Sequence, residues 1–189
     1  MIKDLIVRNR SYRRFDGSHA ISRAELIQLI ELARFSGTGA NIQPLKFYLS
    51  YTKDKNELIF PLLSWAGYLK EWGGPKEGEK PTAYIIILGD TRIKTNFGVD
   101  HGIAAQSIML GATEKGLGGC MIASVKRESL SQALKLPEYL EVLLVLALGK
   151  PVEDVVLENV GEDGDIKYYR DIEGRHHVPK RNLDELIVN

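Results

Sequence analysis

The segment of the chain most suited to chemistry is the basic stretch Arg10-Ser11-Tyr12-Arg13-Arg14-Phe15 near the N-terminus. In an extended segment, side chains two residues apart point to the same side, so the Ser11 hydroxyl and the Arg13 guanidinium face one ligand. Both groups donate hydrogen bonds that suit phosphate oxygens, and Arg10 approaches from the preceding turn. The segment therefore predicts a phosphate site, with an ordinary solvated basic stretch as an equal alternative from these residues alone.

Two further groups of polar residues suit a ligand that carries both a phosphate and a planar ring. Asn41-x-Gln43-Pro44 places two amides in a turn, and amides can both donate and accept hydrogen bonds at the edge of a heterocycle. Lys180-Arg181 adds a second basic pair late in the chain, after Pro179. These residues extend the predicted phosphate site to a site for a phosphorylated heterocycle.

Other kinds of catalytic or metal site find little support in the sequence. Cys120 is the single cysteine and stands in an apolar run, which favours a buried structural thiol over a nucleophile. Adjacent histidines in a strand, such as His176-His177, point to opposite faces, so we expect no metal site there. Gly37-x-Gly39 and Gly116-x-Gly118 lack the third glycine of a dinucleotide-binding motif, and no phosphate-binding P-loop is present.

Composition limits the class of protein and its partners. Of the 189 residues, 25 are Lys or Arg, 25 are Asp or Glu and 44% are hydrophobic, which indicates a globular chain that needs no disulfide. The balanced charge argues against binding of a nucleic acid, which requires a broad basic face. No apolar stretch approaches the ~20 residues of a membrane span. Because the charged N-terminus is not a signal peptide, we expect a cytoplasmic protein.

Hydrophobic patterns predict the elements that position these residues. A capping box at Ser22 to Glu25 begins one helix, and a longer helix over 96–115 is rich in small residues. Small residues predict close packing against another helix or against a second copy of the chain. Further helices are predicted at 54–63, at 127–134 and after Asn182, with strands at 46–51, 84–88, 120–124 and 142–148. Because strands and helices do not alternate regularly, the predicted class is α+β, with a mixed or antiparallel central sheet flanked by helices.

The chain between Trp65 and Pro81 combines aromatic residues with glycines, prolines and charges, which is typical of a mobile loop. Long loops of this kind often act as lids over a site. Trp65, Tyr68 and Trp72 are therefore candidates to stack on a flat substrate. Aromatic anchors of an interdomain or dimer contact are an equally good interpretation of the same three residues.

Four motifs, taken in order, resemble those of the FMN-dependent nitroreductase family. They are Arg10-Ser11-x-Arg13-x-Phe15, Asn41-x-Gln43-Pro44, Gly116-Leu117-Gly118 after the long helix, and Lys180-Arg181. The resemblance extends over nearly the whole chain. It implies a single α+β domain over residues 1–189 with an extended C-terminal arm from about 152 to 189. It also implies a homodimer, with two FMN sites formed at the interface by both subunits.

The resemblance further implies roles for individual residues. Arg10, Ser11 and Arg13 would hold the ribityl phosphate of FMN, joined by Lys180 or Arg181. Asn41 would contact the pyrimidine edge of the flavin, assisted by Gln43. The strand after the Gly-Leu-Gly turn would lie against the flavin ring, mostly through its backbone; its residues are Met121, Ile122, Ala123 and Ser124.

A protein of this kind would be a ping-pong oxidoreductase. NADH or NADPH would reduce the FMN, and an electron-poor acceptor, such as a nitroaromatic or a quinone, would then take up the electrons. No catalytic side chain is expected, because the flavin performs the chemistry. Two alternatives stay open: a flavin-binding or flavin-storage protein without turnover, and a module that binds a phosphate ligand without any redox role.

Overall fold

A four-stranded antiparallel sheet forms the centre of the computed structural model, which describes residues 1–188. The strand order is β1-β2-β4-β3, and every neighbouring pair is antiparallel. β2 is buried along its whole length, as its continuous apolar sequence predicts for a strand covered on both faces. The α+β class and the predicted strands are thus confirmed; their bounds are β1 (Leu45–Ser50), β2 (Ala83–Asp90), β3 (Gly118–Ile122) and β4 (Leu140–Gly149).

The helices follow the sequence signals closely. In the described residues they are α1 (Ile2–Arg8), α2 (Arg23–Arg34), α3 (Lys53–Ile59), α4 (Asp100–Glu114), α5 (Arg127–Ala133) and α6 (Leu183–Leu186). The capping box forms as predicted, with the Ser22 hydroxyl accepting from the Glu25 N–H and the Glu25 carboxylate accepting from the Ser22 N–H. The predicted helix over 54–63 ends at Ile59 and tightens into a 3-10 turn that contains Pro61, which lacks a backbone N–H. Helix α1 was not predicted.

The small residues of α4 pack inside the chain. Ala104, Ala105 and Ala112 are buried, and a Cβ atom at Gly111 would lie 2.2 Å from Cδ1 of Leu32 on α2. Small side chains therefore let α2 and α4 approach closely. The sequence predicts that α4 packs either on another helix or on a second copy of the chain. The structure shows the first of these, because α4 packs on α2 of the same chain.

The C-terminal segment (residues 152–188) contains regular structure of its own, and its role as an arm of a single domain stays a prediction. It contains a second, three-stranded sheet of order β5-β7-β6, with β7 parallel to β5 and antiparallel to β6. Phe15 bridges to Pro151, so the N-terminal basic stretch lies beside the beginning of this segment. The strands are β5 (Val155–Asn159), β6 (Tyr169–Arg170) and β7 (His176–Lys180).

The central sheet is covered by apolar residues on both faces. One core cluster joins the sheet to α2 and α4, and a second joins it to α3 and α5. Within residues 1–188, no helix has the length and apolar character that crossing a membrane requires. The sheet ends and the segments beside them therefore supply the exposed polar groups from which a site can be built.

Candidate functional site

The basic stretch runs along the free edge of the central sheet. β3 is an edge strand, and Ser11 forms a parallel bridge with Gly119 in which the Tyr12 N–H donates to the Gly119 carbonyl at 2.9 Å. A Cβ atom at Gly119 would lie 2.2 Å from the Ala147 carbonyl oxygen, so only glycine fits between the basic stretch and β4. Two motifs that are over a hundred residues apart in sequence therefore meet along β3.

An opening of about 170 Å³ lies at the end of β3, beyond this bridge. Its walls are Arg13, Tyr168, the residues 64–67 and the strand end 120–124. The strand end presents exposed Met121, Ala123 and Ser124, whereas Ile122 is buried. The structure thus places Arg13 and all four predicted strand residues at one opening.

Arg13 is largely buried, and residues of the C-terminal segment surround its guanidinium group. Nη1 donates to the Ser11 carbonyl at 3.1 Å and lies 3.2 Å from Nε2 of His176. The guanidinium carbon is 4.9 Å from the centre of the Tyr168 ring, which is a cation–π contact. Within residues 1–188, Nε and Nη2 of Arg13 have no oxygen or nitrogen partner, so they can donate to an anionic ligand.

The carboxylate of Glu153 fixes the backbone of the basic stretch. It accepts hydrogen bonds from the backbone N–H groups of Arg13 and Arg14, the second at 3.1 Å. It also forms an ion pair with Arg170, with 2.8 Å between Oε2 and Nη2, and its side chain is only 1% exposed. Glu153 therefore ties the C-terminal segment to the residues that are predicted to bind phosphate.

His176 is held in its neutral form next to Arg13. Burial, together with the positive charges of Arg13 and Arg170, lowers the pKa of His176 to about 4. A neutral imidazole with a free electron pair on Nε2 can accept the hydrogen bond from Arg13, whereas an imidazolium cannot. His177 points to the other face of β7, as adjacent strand residues must, and contacts Glu158 and Asp171.

The thiol of Cys120 is buried beside the same cluster, as predicted. Burial raises the pKa of Cys120, and the nearby Arg13 guanidinium and Ser11 hydroxyl only partly oppose this effect. A thiol with a raised pKa is a poor nucleophile at neutral pH. Cys120 therefore serves as packing at the base of the opening.

Arg10 lies at the end of α1 and does not line the opening. Its Nη2 donates to the Ile6 carbonyl at 2.6 Å, while its Nε is buried and has no partner in the described part of the chain. An unsatisfied buried donor on a cation is costly unless a ligand accepts from it. This group is therefore available to an anion that reaches the basic stretch from outside.

The remaining predicted site residues lie elsewhere in the subunit. Asn41 and Gln43 sit in a turn with left-handed φ values of 56° and 54°, and neither lines the opening. Such strained backbone costs about 1–3 kcal/mol per residue and recurs at ligand sites. The role of this turn in contacting the flavin stays a prediction. Lys180 ends β7 and is exposed, and Arg181 pairs with Glu185 at 3.2 Å. Within one subunit, none of these four residues lines the opening beside Arg13.

The three aromatic residues of the predicted lid all contact their own chain. Trp65 lines the opening, with its ring centre 5.7 Å from that of Phe60. The other two pack on the C-terminal segment: the Tyr68 ring lies 4.9 Å from that of Tyr168, and the Trp72 ring lies 4.3 Å from the Arg170 guanidinium. These contacts lie within one subunit, so the substrate-lid interpretation and the interdomain or dimer anchor interpretation both stay predictions.

Sequence reasoning missed Glu153, His176 and Tyr168 as parts of the site. They stand in a polar segment, and no motif or periodicity distinguishes them from their neighbours. The one signal in the sequence is the pair of adjacent histidines, which by itself indicates no contact with the basic stretch. Their role depends on contacts with a stretch of chain about 140 residues away and could be seen only in three dimensions.

Comparison with known proteins identifies the family of the chain. The model of the nitroreductase family matches residues 6–150. A Cr(VI) reductase of Pseudomonas sp. (strain G-1) is 26% identical over 163 residues, which cover 80% of this chain and 67% of the relative. Among solved structures, a nitroreductase family protein of Streptococcus pneumoniae TIGR4 aligns over 100% of both chains with a TM-score of 0.73 and 14% identity. An FMN-dependent nitroreductase of Clostridium difficile R20291 aligns over 82% of this chain and 89% of its own, with a TM-score of 0.65 and 20% identity.

Proposed function

Because the chain belongs to the nitroreductase family, we propose that it is an FMN-dependent oxidoreductase. In this proposal NADH or NADPH supplies the electrons, and an electron-poor compound such as a nitroaromatic, a quinone or an oxidised metal ion receives them. The name of the Pseudomonas relative, a Cr(VI) reductase, supports the last of these acceptor classes. The proposal rests on one observation: Arg13 and the strand end 121–124 line the same opening.

The residues at this opening fit a phosphorylated flavin. Arg13 has two guanidinium nitrogens without an oxygen or nitrogen partner in the described residues, and outside the opening the buried Nε of Arg10 also needs an acceptor. Among residues 1–188, no strand pairs with the outer edge of β3 beyond the Ser11 bridge, so its backbone groups can bond to a heterocycle. Exposed Met121 offers an apolar surface to a flat ring.

When bound, FMN would supply the hydride and electron transfer. The chain's own residues would bind and orient the cofactor. Arg13 would donate to the phosphate, in a position fixed by Glu153 on its backbone and by His176 on its side chain. Trp65 would form one wall of the pocket that admits the two substrates in turn, with Tyr68 and Trp72 as further parts of a lid. No acid or base on the protein is required.

The proposal includes a homodimer. Asn41, Gln43, Lys180 and Arg181 do not reach the opening within one subunit, so a second copy would have to deliver them. This placement would also use the turn around Asn41, whose backbone is strained and whose side chain is exposed. Light scattering with and without FMN would test it, and a monomer that binds FMN tightly would refute it.

Replacement of Arg13 tests the cofactor site. Loss of one charge-assisted hydrogen bond to phosphate costs roughly 1.5–3 kcal/mol, so we expect Arg13→Ala to weaken FMN binding about tenfold to a hundredfold. FMN fluorescence titration measures this affinity directly. Arg34→Ala removes an arginine on an exposed helix face and is the matched control. Equal FMN affinity in Arg13→Ala and the parent would refute the proposed phosphate site.

Turnover is tested separately from binding. Under anaerobic conditions, NADH or NADPH is expected to bleach the flavin absorbance of the purified protein, and a quinone, a nitroaromatic or chromate is expected to restore it. Bound FMN that neither pyridine nucleotide reduces would instead show a flavin-binding protein without turnover. A protein that retains no flavin and binds none on titration would contradict the whole proposal.

A further inference from the structure

The ring of His177 lies between two carboxylates from different parts of the C-terminal segment. Nδ1 is 2.9 Å from Oε2 of Glu158 on β5, and Nε2 is 3.1 Å from Oδ2 of Asp171, which follows β6. The ring also stacks on Tyr169 of β6, with 4.8 Å between the ring centres and 9° between the ring planes. His177, itself on β7, therefore joins all three strands of the small sheet.

The two hydrogen bonds of His177 require a charged imidazole. A carboxylate only accepts hydrogen bonds, so a ring nitrogen must carry a proton to bond to it. A neutral imidazole carries one such proton and can bond to one carboxylate, whereas an imidazolium can bond to both. In agreement with this geometry, the hydrogen bonds to Glu158 and Asp171 raise the pKa of His177 above its ordinary value.

The groups next to His177 keep their charge while this histidine titrates. Burial opposes the effect, but hydrogen bonds from His177 and Arg175 lower the pKa of Asp171, so Asp171 is a carboxylate at neutral pH. Arg175, which as an arginine stays charged, pairs with Asp171 at 2.7 Å. Burial and the charge of Glu158 raise the pKa of Tyr169, whose hydroxyl lies 3.5 Å from Oε2 of Glu158. Tyr169 therefore stays neutral, and the charge of this cluster changes at His177.

His176 lies on the opposite face of β7 and needs the opposite protonation state. Its Nε2 is 3.2 Å from Nη1 of Arg13, which is a donor, so this ring must be neutral to accept. Burial and the positive charges of Arg13 and Arg170 lower the pKa of His176 to about 4. A rise in pH above neutrality therefore removes the charge of His177 and leaves His176 unchanged.

The chain before β5 connects the small sheet to the basic stretch. The Glu153 carboxylate, which accepts from the N–H groups of Arg13 and Arg14, lies two residues before β5 begins. Between Glu153 and β5, the Asp154 carbonyl accepts from the His176 N–H of β7 at 2.8 Å. Because β5 and β7 pair along their whole length, a weaker pair also weakens the hold of Glu153 on the basic stretch.

We propose that His177 is a proton-dependent switch: its imidazolium fastens β5 to β7 and to the turn at Asp171, and through Glu153 it steadies the basic stretch. Loss of the proton removes one of the two hydrogen bonds and leaves one carboxylate without its cation. The C-terminal segment then opens more often. This stabilisation is complete below the pKa of an ordinary histidine, ~6.5, and is lost as the pH rises through the raised pKa of His177. The switch does not depend on the proposed flavin function.

Two measurements on the purified full chain test the switch. NMR titration of the histidine ring protons gives the midpoint of His177, whose signal is identified by its loss in His177→Gln. Hydrogen exchange, expressed as protection factors so that its intrinsic pH dependence cancels, follows the amides of β5, of β7 and of Arg13 and Arg14. His19→Gln is the matched control, because the His19 ring has no hydrogen-bond partner within residues 1–188. Circular dichroism checks the fold of each variant.

The expected His177 midpoint lies above ~6.5. Across it, protection of these amides should fall about twofold to fivefold in the parent and in His19→Gln, as for loss of one partly exposed ion pair. His177→Gln should show the lower protection at every pH. A midpoint at or below ~6.5 would overturn the proposal, and so would protection that does not change across the midpoint or changes equally in His177→Gln.

A second variant decides the question if His177→Gln does not fold. Asp171→Asn keeps the shape of the side chain and removes one of the two carboxylate charges that face His177. We expect it to lower the NMR midpoint of His177 and to move the fall in protection to lower pH by the same amount. An unchanged midpoint, or a fall in protection that stays where it is in the parent, would overturn the proposal.

Discussion

Glu153 is the carboxylate whose removal we expect to damage this protein most. Its side chain is 1% exposed and accepts from two backbone N–H groups and from Arg170. Glu153→Ala leaves the Arg170 cation partly buried without its partner and leaves both N–H groups without an acceptor. Breaking a buried ion pair from one side costs about 3–5 kcal/mol. In a chain of this length, each kcal/mol of lost stability lowers the midpoint of thermal unfolding by ~2–4 °C. We therefore expect Glu153→Ala to lower the midpoint by roughly 6–20 °C.

The conservative variant separates the charge from the hydrogen bonds. Glu153→Gln keeps an oxygen that can accept from the two backbone N–H groups, but it places an NH2 group opposite Arg170 and so loses the charge and the hydrogen bond on that side. We therefore expect a loss of about 1–3 kcal/mol, smaller than that of Glu153→Ala. Glu162→Ala, at an exposed carboxylate in the same C-terminal segment, is the control and is expected to change stability by less than about 0.5 kcal/mol. Thermal and urea unfolding at fixed protein concentration and neutral pH measure all three. A Glu153→Ala midpoint indistinguishable from that of Glu162→Ala would refute the reasoning.

Two further predictions concern His176 and Gly119. The pKa of His176 is about 4 in the folded protein against 6.5 for an ordinary histidine, so between these values the unfolded chain binds a proton that the folded chain excludes. The free energy of unfolding is therefore expected to fall as the pH is lowered through this window, and to fall less in His176→Gln. Urea unfolding at several pH values measures this; parallel profiles for the parent and the variant would disprove the low pKa of His176. Gly119→Ala is expected to destabilise the protein by about 1–3 kcal/mol, because its methyl group would lie 2.2 Å from the Ala147 carbonyl oxygen. Gly67→Ala, with open space around the new methyl group, is the control in urea unfolding and is expected to resemble the parent.

The sequence by itself determined the local elements and the position of the basic motif. The capping box that begins α2, the apolar run of β2 and the proline that ends α3 all act within a few residues, so their effects could be read from the chain directly. The position of Ser11 and Arg13 in an extended segment could be predicted in the same way, whereas their convergence on one phosphate stays a prediction. The resemblance to a family then implies which ligand this motif would bind.

Only the tertiary structure decided what surrounds Arg13. The partners of this arginine come from the C-terminal segment, whose short strands carry polar residues and give no alternating apolar signal in the sequence. The same limit applies to the packing of α4, where the fit of Gly111 against Leu32 excludes a second copy from that face. Contacts between distant segments depend on register and shape across the whole core, and local periodicity contains neither. For that reason the position of the basic stretch could be predicted, whereas Glu153, which holds its backbone in place, could not.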